Sequence, residues 1–114
     1  MRVTTDLFVA VLLRRVQSDG GFATVLRRGS TEAGAVFVVV RGRDGLVTLY
    51  SPAPQASYEA ERPDRAFTCR LTSVEEDAVT AVLDKEIRFD PDLWAVEVEL
   101  ARLAIDDLLT LTTP

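Results

Sequence analysis

The sequence predicts an α+β fold, with an antiparallel sheet of about five strands and two or three helices packed on one face, in the order α-β-β-β-β-α-β. Apolar residues recur at helical intervals in two segments, whereas in five others they alternate or run continuously as in strands. Glycine, proline and aspartate separate these segments. The 114 residues, of which 47% are hydrophobic and 27% charged, suit one domain spanning residues 1–114.

The first predicted helix begins at Thr4 or Thr5, has Asp6 near its positive end and stops at Gly20-Gly21. Its apolar stripe is Val9, Leu12, Leu13 and Val16. Because this segment is rich in β-branched residues, a strand is the alternative for its first half.

A capping box, Ser73-Val74-Glu75-Glu76, predicts the start of the second helix, which runs to about Arg88. The apolar stripe of this helix is Val79, Val82, Leu83 and Ile87. Asp90-Pro91-Asp92 ends it.

The predicted strands are Phe22–Arg28, Ala35–Val40, Leu46–Tyr50, Phe67–Leu71 and Trp94–Leu100. The second is apolar on both faces, as is typical of a central strand. A hairpin turn at Gly42–Gly45 predicts that the first three strands form a meander. Alternation in the fourth strand places Cys69 on its buried face. Residues 51–64 are predicted to form a loop, and residues 101–111 a short helix or a last strand.

Charge is unevenly distributed along the chain. Residues 1–50 carry a net charge of +3 and residues 51–114 carry −8, which gives −5 for the whole chain. This balance disfavours generic nucleic-acid binding. Of the 13 basic residues, only Lys85 is lysine, which indicates either an arginine-rich codon usage or a need for bidentate contacts to anions.

Several kinds of catalytic and metal site lack support. The chain has no histidine, so Ser-His-Asp and Cys-His catalysis are excluded. Cys69 is the only cysteine, which suits a reducing cytosol, and it is interpreted as a core residue, with a nucleophile as the alternative. No metal or cofactor is predicted. The acids that could bind a hard cation are interpreted as a solvated face; they are Glu75, Glu76, Asp77, Asp84, Glu86, Asp90 and Asp92.

Two glycine-containing segments, Gly20-Gly21 and Arg27-Arg28-Gly29-Ser30, invite a phosphate-loop interpretation, but neither has the Walker pattern. The longest apolar runs, residues 7–13 and 35–40, are too short to span a membrane, and no export signal is recognised. The sequence therefore predicts a cytoplasmic protein without membrane contact.

The most specific hypothesis about a binding site involves four arginines. If the first two strands pair antiparallel, Arg14 and Arg15 at the end of the first helix meet Arg41 and Arg43 at the end of the second strand. Such a rim suits an acidic protein or a phosphate-containing ligand. The alternative is that these are solvated ends of elements.

Several stretches of the chain are distinctive as a string: residues 12–16, 20–29 and 33–36, and Phe89-Asp90-Pro91-Asp92-Leu93-Trp94 with the strand after it. They resemble an alphaproteobacterial family, domain of unknown function 1491, and the resemblance extends to about Glu99. The family implies a bacterial cytosolic protein and assigns no activity.

The leading interpretation of function is a small non-enzymatic binding or protein-interaction module. The alternatives are a small-molecule-binding domain or enzyme that uses carboxylates and arginine, and a homodimer joined through the face of strand 94–100 or the apolar tail.

Overall fold

The structure is a computed structural model, and it describes residues 3–54 and 65–113. The predicted order of helices and strands is confirmed up to the fifth strand, and the tail contains both a short helix and a sixth strand. The elements are α1 (Thr5–Ser18), β1 (Phe22–Arg27), β2 (Val36–Arg41), β3 (Val47–Pro52), β4 (Ala66–Val74), α2 (Glu76–Phe89), β5 (Trp94–Glu99), α3 (Ile105–Leu108) and β6 (Thr110–Leu111). Most of the predicted loop 51–64 lies outside the described residues.

The strands form one six-stranded sheet in the order β1-β5-β2-β3-β4-β6. The sheet is mixed and not antiparallel throughout, because β5 pairs parallel with β2, and β6 pairs parallel with β4. The predicted meander is correct only for β2 and β3, since β5 lies between β1 and β2. The long connection through α2 brings β5 back between β1 and β2, where it has a hydrogen-bonded neighbour on each side.

The helices cover both faces of the sheet, so the prediction of helices on one face is wrong. One core cluster joins α1 and the α3 region to one face, with Val36 and Val38 of β2 in it. A second cluster joins α2 to the opposite face, with Phe37 and Val39 of β2 in it. The physical reason lies in β2 itself, because a strand that is apolar on both faces needs a helix on each side.

The capping box predicted for α2 does not form. Glu75 occupies the N-cap position without a side-chain cap, and Ser73 belongs to the end of β4. The backbone of Ser73 has a φ of 49°, and its N–H donates to Thr48 Oγ1 at 3.1 Å. The chain thus turns sharply from β4 into α2, and this turn takes Ser73 out of reach of the helix.

The tail after β5 packs against α1. Asp19, which follows α1, accepts hydrogen bonds from the N–H groups of Arg102 and Leu103 at 2.8 and 3.0 Å. These two bonds lower the pKa of the Asp19 carboxyl below its usual range. Further along, Leu109 is buried in the first core cluster. Much of the apolar tail is therefore part of the core.

Candidate functional site

Arg41, one of the four arginines of the predicted rim, lies on the α2 face of the sheet and is paired with carboxylates. Its Nε and Nη2 donate to the two carboxylate oxygens of Glu97, both at 3.2 Å, and Nη2 also contacts Glu76. The bonds to Glu97 first, and then to Glu76, raise the pKa of Arg41 above its usual range. This network joins the end of β2 to β5 and to the first turn of α2.

Arg14 and Arg15 lie on the other side of the sheet, exposed in the last turns of α1. Arg43 is exposed in the turn between β2 and β3. Among residues 3–54 and 65–113, none of these three arginines forms an ion pair. All four arginines belong to the same end of the sheet, because β1 begins level with the end of β2. Their side chains divide between its two faces.

Two exposed apolar residues, Leu7 and Val11, precede the arginine pair on α1, with 50% and 51% of their surfaces accessible. Their spacing to Arg14 and Arg15 follows the i, i+4, i+7, i+8 pattern that places residues on one side of a helix. We call these four residues the α1 outer face. Sequence reasoning missed the apolar half of this face, although both residues fall outside the predicted core stripe of the helix.

Cys69 is exposed, so the prediction that it lies on the buried face is wrong. Tyr50 of β3 pairs with Cys69, but the neighbouring Leu49 pairs with Leu71, which leaves Arg70 as an extra residue in β4. This bulge breaks the alternation on which the prediction depended. The Cys69 thiol lies 3.1 Å from the hydroxyl of Thr72. Burial raises the pKa of the Tyr50 hydroxyl, and the electrostatic effect of the nearby Cys69 thiol raises it further.

The acids considered as metal ligands are dispersed or have other partners. Glu76 contacts Arg41, Glu86 accepts a hydrogen bond from Arg70 at 2.7 Å, and Asp90 accepts one from the N–H of Asp92 at 3.1 Å. Within the part of the chain that the structure describes, no group of three or more acidic or cysteine side chains is arranged to hold a metal ion.

The glycine-containing segment considered as a phosphate loop instead packs around Trp94. The indole Nε1 of Trp94 donates to the Ser30 carbonyl at 2.7 Å, and the Arg28 guanidinium lies 5.0 Å from the centre of the indole ring. Arg27 Nη2 donates to the Pro91 carbonyl at 2.7 Å. We call these residues, with the glycines between β1 and β2, the Trp94 cluster. The Trp94 cluster holds the loop between β1 and β2 against the start of β5.

A cavity of about 220 Å³ lies between α1, β4 and the tail. Apolar side chains form most of its wall, and Arg65 contributes a guanidinium that donates to Thr5 Oγ1 at 2.8 Å and lies 5.2 Å from the centre of the Phe8 ring. This volume is below the range of about 300–1,000 Å³ that is typical of small-molecule sites. Of the helices in the described ranges, none is long and apolar enough to cross a membrane.

Comparison with solved structures identifies close relatives. A solution structure of a protein from A. tumefaciens is 44% identical, with a TM-score of 0.86, and the match covers 100% of this chain and 98% of that one. A crystal structure of a DUF1491 family protein from Caulobacter crescentus CB15 is 38% identical, with a TM-score of 0.71 and 87% of each chain covered. An NMR structure of a DUF1491 family protein from Caulobacter crescentus CB15 is 35% identical, with a TM-score of 0.75, and the match covers 100% of this chain and 98% of that one.

No curated protein is significantly similar to the chain. The family model described as "Protein of unknown function (DUF1491)" matches residues 3–105, which include all of β1 to β5 and the residues of the Trp94 cluster. The chain therefore belongs to the DUF1491 family, whose function is not established.

Proposed function

We propose that this protein is a non-enzymatic protein-interaction module that binds an acidic partner through the α1 outer face. The observation that carries the proposal is the exposure of two arginines beside two apolar side chains on one side of a single helix. The arginine pair makes no ion pair with other described residues, so its charges are available to a partner.

The composition of this face indicates the chemistry of the partner. Guanidinium groups bind carboxylates through paired, charge-assisted hydrogen bonds, which favours an acidic protein surface. Leu7 and Val11 supply apolar area that such a partner would cover, and apolar anchors inside a polar rim are typical of protein interfaces. An acidic segment with its own apolar residues, such as an amphipathic helix, fits both halves of the face.

We also propose that the protein works in the bacterial cytosol. The support for this location is the single cysteine, which is exposed and cannot form an internal disulfide. An exposed free thiol is compatible with a compartment that keeps thiols reduced.

The interaction proposal is tested by affinity capture from an alphaproteobacterial lysate with the full chain and the double variant Arg14→Ser/Arg15→Ser. We expect the variant to retain captured proteins more than about tenfold less well, because each charged hydrogen bond contributes about 1.5–3 kcal/mol. The matched control, Lys85→Ser/Arg88→Ser, removes the same charge at exposed positions of α2, on the opposite face of the sheet from α1. An unchanged set of captured proteins in the α1 variant, or an equal loss in the control, contradicts the proposal.

A further inference from the structure

The free edge of β1 carries an inference that goes beyond the proposed function. β1 and β6 are the two edges of the sheet, and β6 has only two residues, whereas β1 has six. The outer side of β1 pairs with no strand among residues 3–54 and 65–113. An edge strand of this length presents unpaired backbone N–H and C=O groups that can pair with another strand.

The side chains of β1 do not protect this edge. Phe22, Val25 and Leu26 are 57%, 37% and 51% exposed, although all three are large and apolar. Neither a charged residue nor a proline occurs from Phe22 to Leu26, and these are the residues that normally prevent edge strands from pairing. A bulge between Val25 and Arg27 distorts only the C-terminal end, so pairing of residues 22–25 with β5 stays regular.

Opposite charges lie at the two ends of this strand. Glu99 of β5 is exposed and pairs directly with Phe22, at the start of β1. Arg27 ends the strand and Arg28 follows it, about 20 Å away along the chain direction. When two such strands pair antiparallel, Arg27 and Arg28 of each copy lie nearest Glu99 of the other, one strand in from the edge, whereas parallel pairing would bring the Arg27 and Arg28 pairs of both copies together.

We infer that the partner of this edge is a second copy of the same chain, paired antiparallel through β1 around a two-fold axis. The pairing extends the sheet from one copy into the next and covers the exposed apolar side chains of both strands. A two-fold axis places the same residues on both sides, so each favourable charge contact occurs twice. The α1 outer face points away from the sheet, so this surface is separate from the one proposed above.

Sedimentation equilibrium of the full chain between about 5 μM and 1 mM tests the inference. We expect the mass to rise with concentration from 12.5 kDa towards twice that value. Thr24→Lys places a charge in the middle of the edge, where the two copies bring both lysines together, and raises the dissociation constant more than about tenfold. Thr80→Lys, the same change on the exposed side of α2, leaves it unchanged.

A charge exchange keeps the inference testable even when Thr24→Lys does not fold. Arg28→Glu and Glu99→Arg each weaken the dimer, and the double variant Arg28→Glu/Glu99→Arg recovers affinity, because the ends become complementary again. A wild-type mass of 12.5 kDa at every concentration overturns the inference. So does a dimer that the edge variants do not weaken, or a double variant that is as weak as the sum of the two single changes.

Discussion

At the scale of single residues, the Trp94 cluster shows why glycine occurs twice between β1 and β2. A Cβ atom on Gly34 would lie 2.5 Å from the Asp92 carbonyl oxygen and 2.9 Å from the Trp94 ring. A Cβ on Gly29 would come even closer to the same carbonyl oxygen. Because this neighbour is backbone, it cannot move aside without shifting the start of β5. Glycine is therefore required here by close packing, and not by an unusual φ.

We expect Gly29→Ala and Gly34→Ala each to lower the free energy of unfolding by about 1–3 kcal/mol, the usual cost of overpacking a tight contact. Urea unfolding followed by Trp94 fluorescence measures the change. Gly42→Ala is the matched control, because the nearest atom to its Cβ belongs to the flexible Asp44 side chain. Equal stability of the three variants would contradict this explanation.

The same scale shows what sequence reasoning could and could not find. The string of residues that resembles the family was recognisable, and its parts within residues 27–34 and 91–94 build the Trp94 cluster. Alternation placed Phe67, Cys69 and Leu71 on one face. The bulge at Arg70, which depends on how β4 meets β3, turns Leu71 to the α2 face and leaves Cys69 exposed on the other. A prediction from alternation assumes a regular strand. One extra residue turns the side chains that follow it to the opposite face of the sheet.

At the scale of elements, α1 and α2 were predictable because each has an apolar stripe at helical spacing. The position of β5 in the sheet was not predictable, because nothing in its own sequence indicates which strands will be its neighbours. The apolar character of β2 on both faces was a local sign of helices on both sides of the sheet, although the prediction placed them on one face. Its pairing with β5 follows from the long crossover through β3, β4 and α2.

Asp19 joins two elements, the end of α1 and the tail. Its pKa is lowered in the folded protein from 3.8, so the stability it contributes is fully present above that pH and is lost as the pH falls through the folded-state value. We expect Asp19→Asn to be less stable than wild type at pH 7, and the difference to shrink below about pH 4.

Urea unfolding at a series of pH values measures this difference. Asp84→Asn, on the exposed side of α2, removes one negative charge without touching the tail and should have the smaller effect. A stability difference for Asp19→Asn that is the same at pH 3 and pH 7 would rule out the role assigned to its ionised carboxylate.

At the scale of the whole molecule, folding brings the basic and acidic halves of the chain together. Arg41 comes from the basic half, and its carboxylate partners Glu76 and Glu97 come from the acidic half. Arg27 and Arg28 likewise contact the segment around Trp94. Three of the six described arginines of the basic half, Arg27, Arg28 and Arg41, are therefore held against the acidic half, and Arg41 is paired there with carboxylates. The arginine pair on α1 is left facing outward.

The central claim is that the α1 outer face contacts a partner protein. Photocrosslinking in living cells tests it most directly, with a benzophenone amino acid in place of Val11 and, as the control, in place of Ala81 on the exposed side of α2. We predict a discrete protein adduct from position 11 that disappears when Arg14→Ser/Arg15→Ser is added, and no such adduct from position 81. No adduct from position 11, or the same adduct from both positions, would contradict the claim.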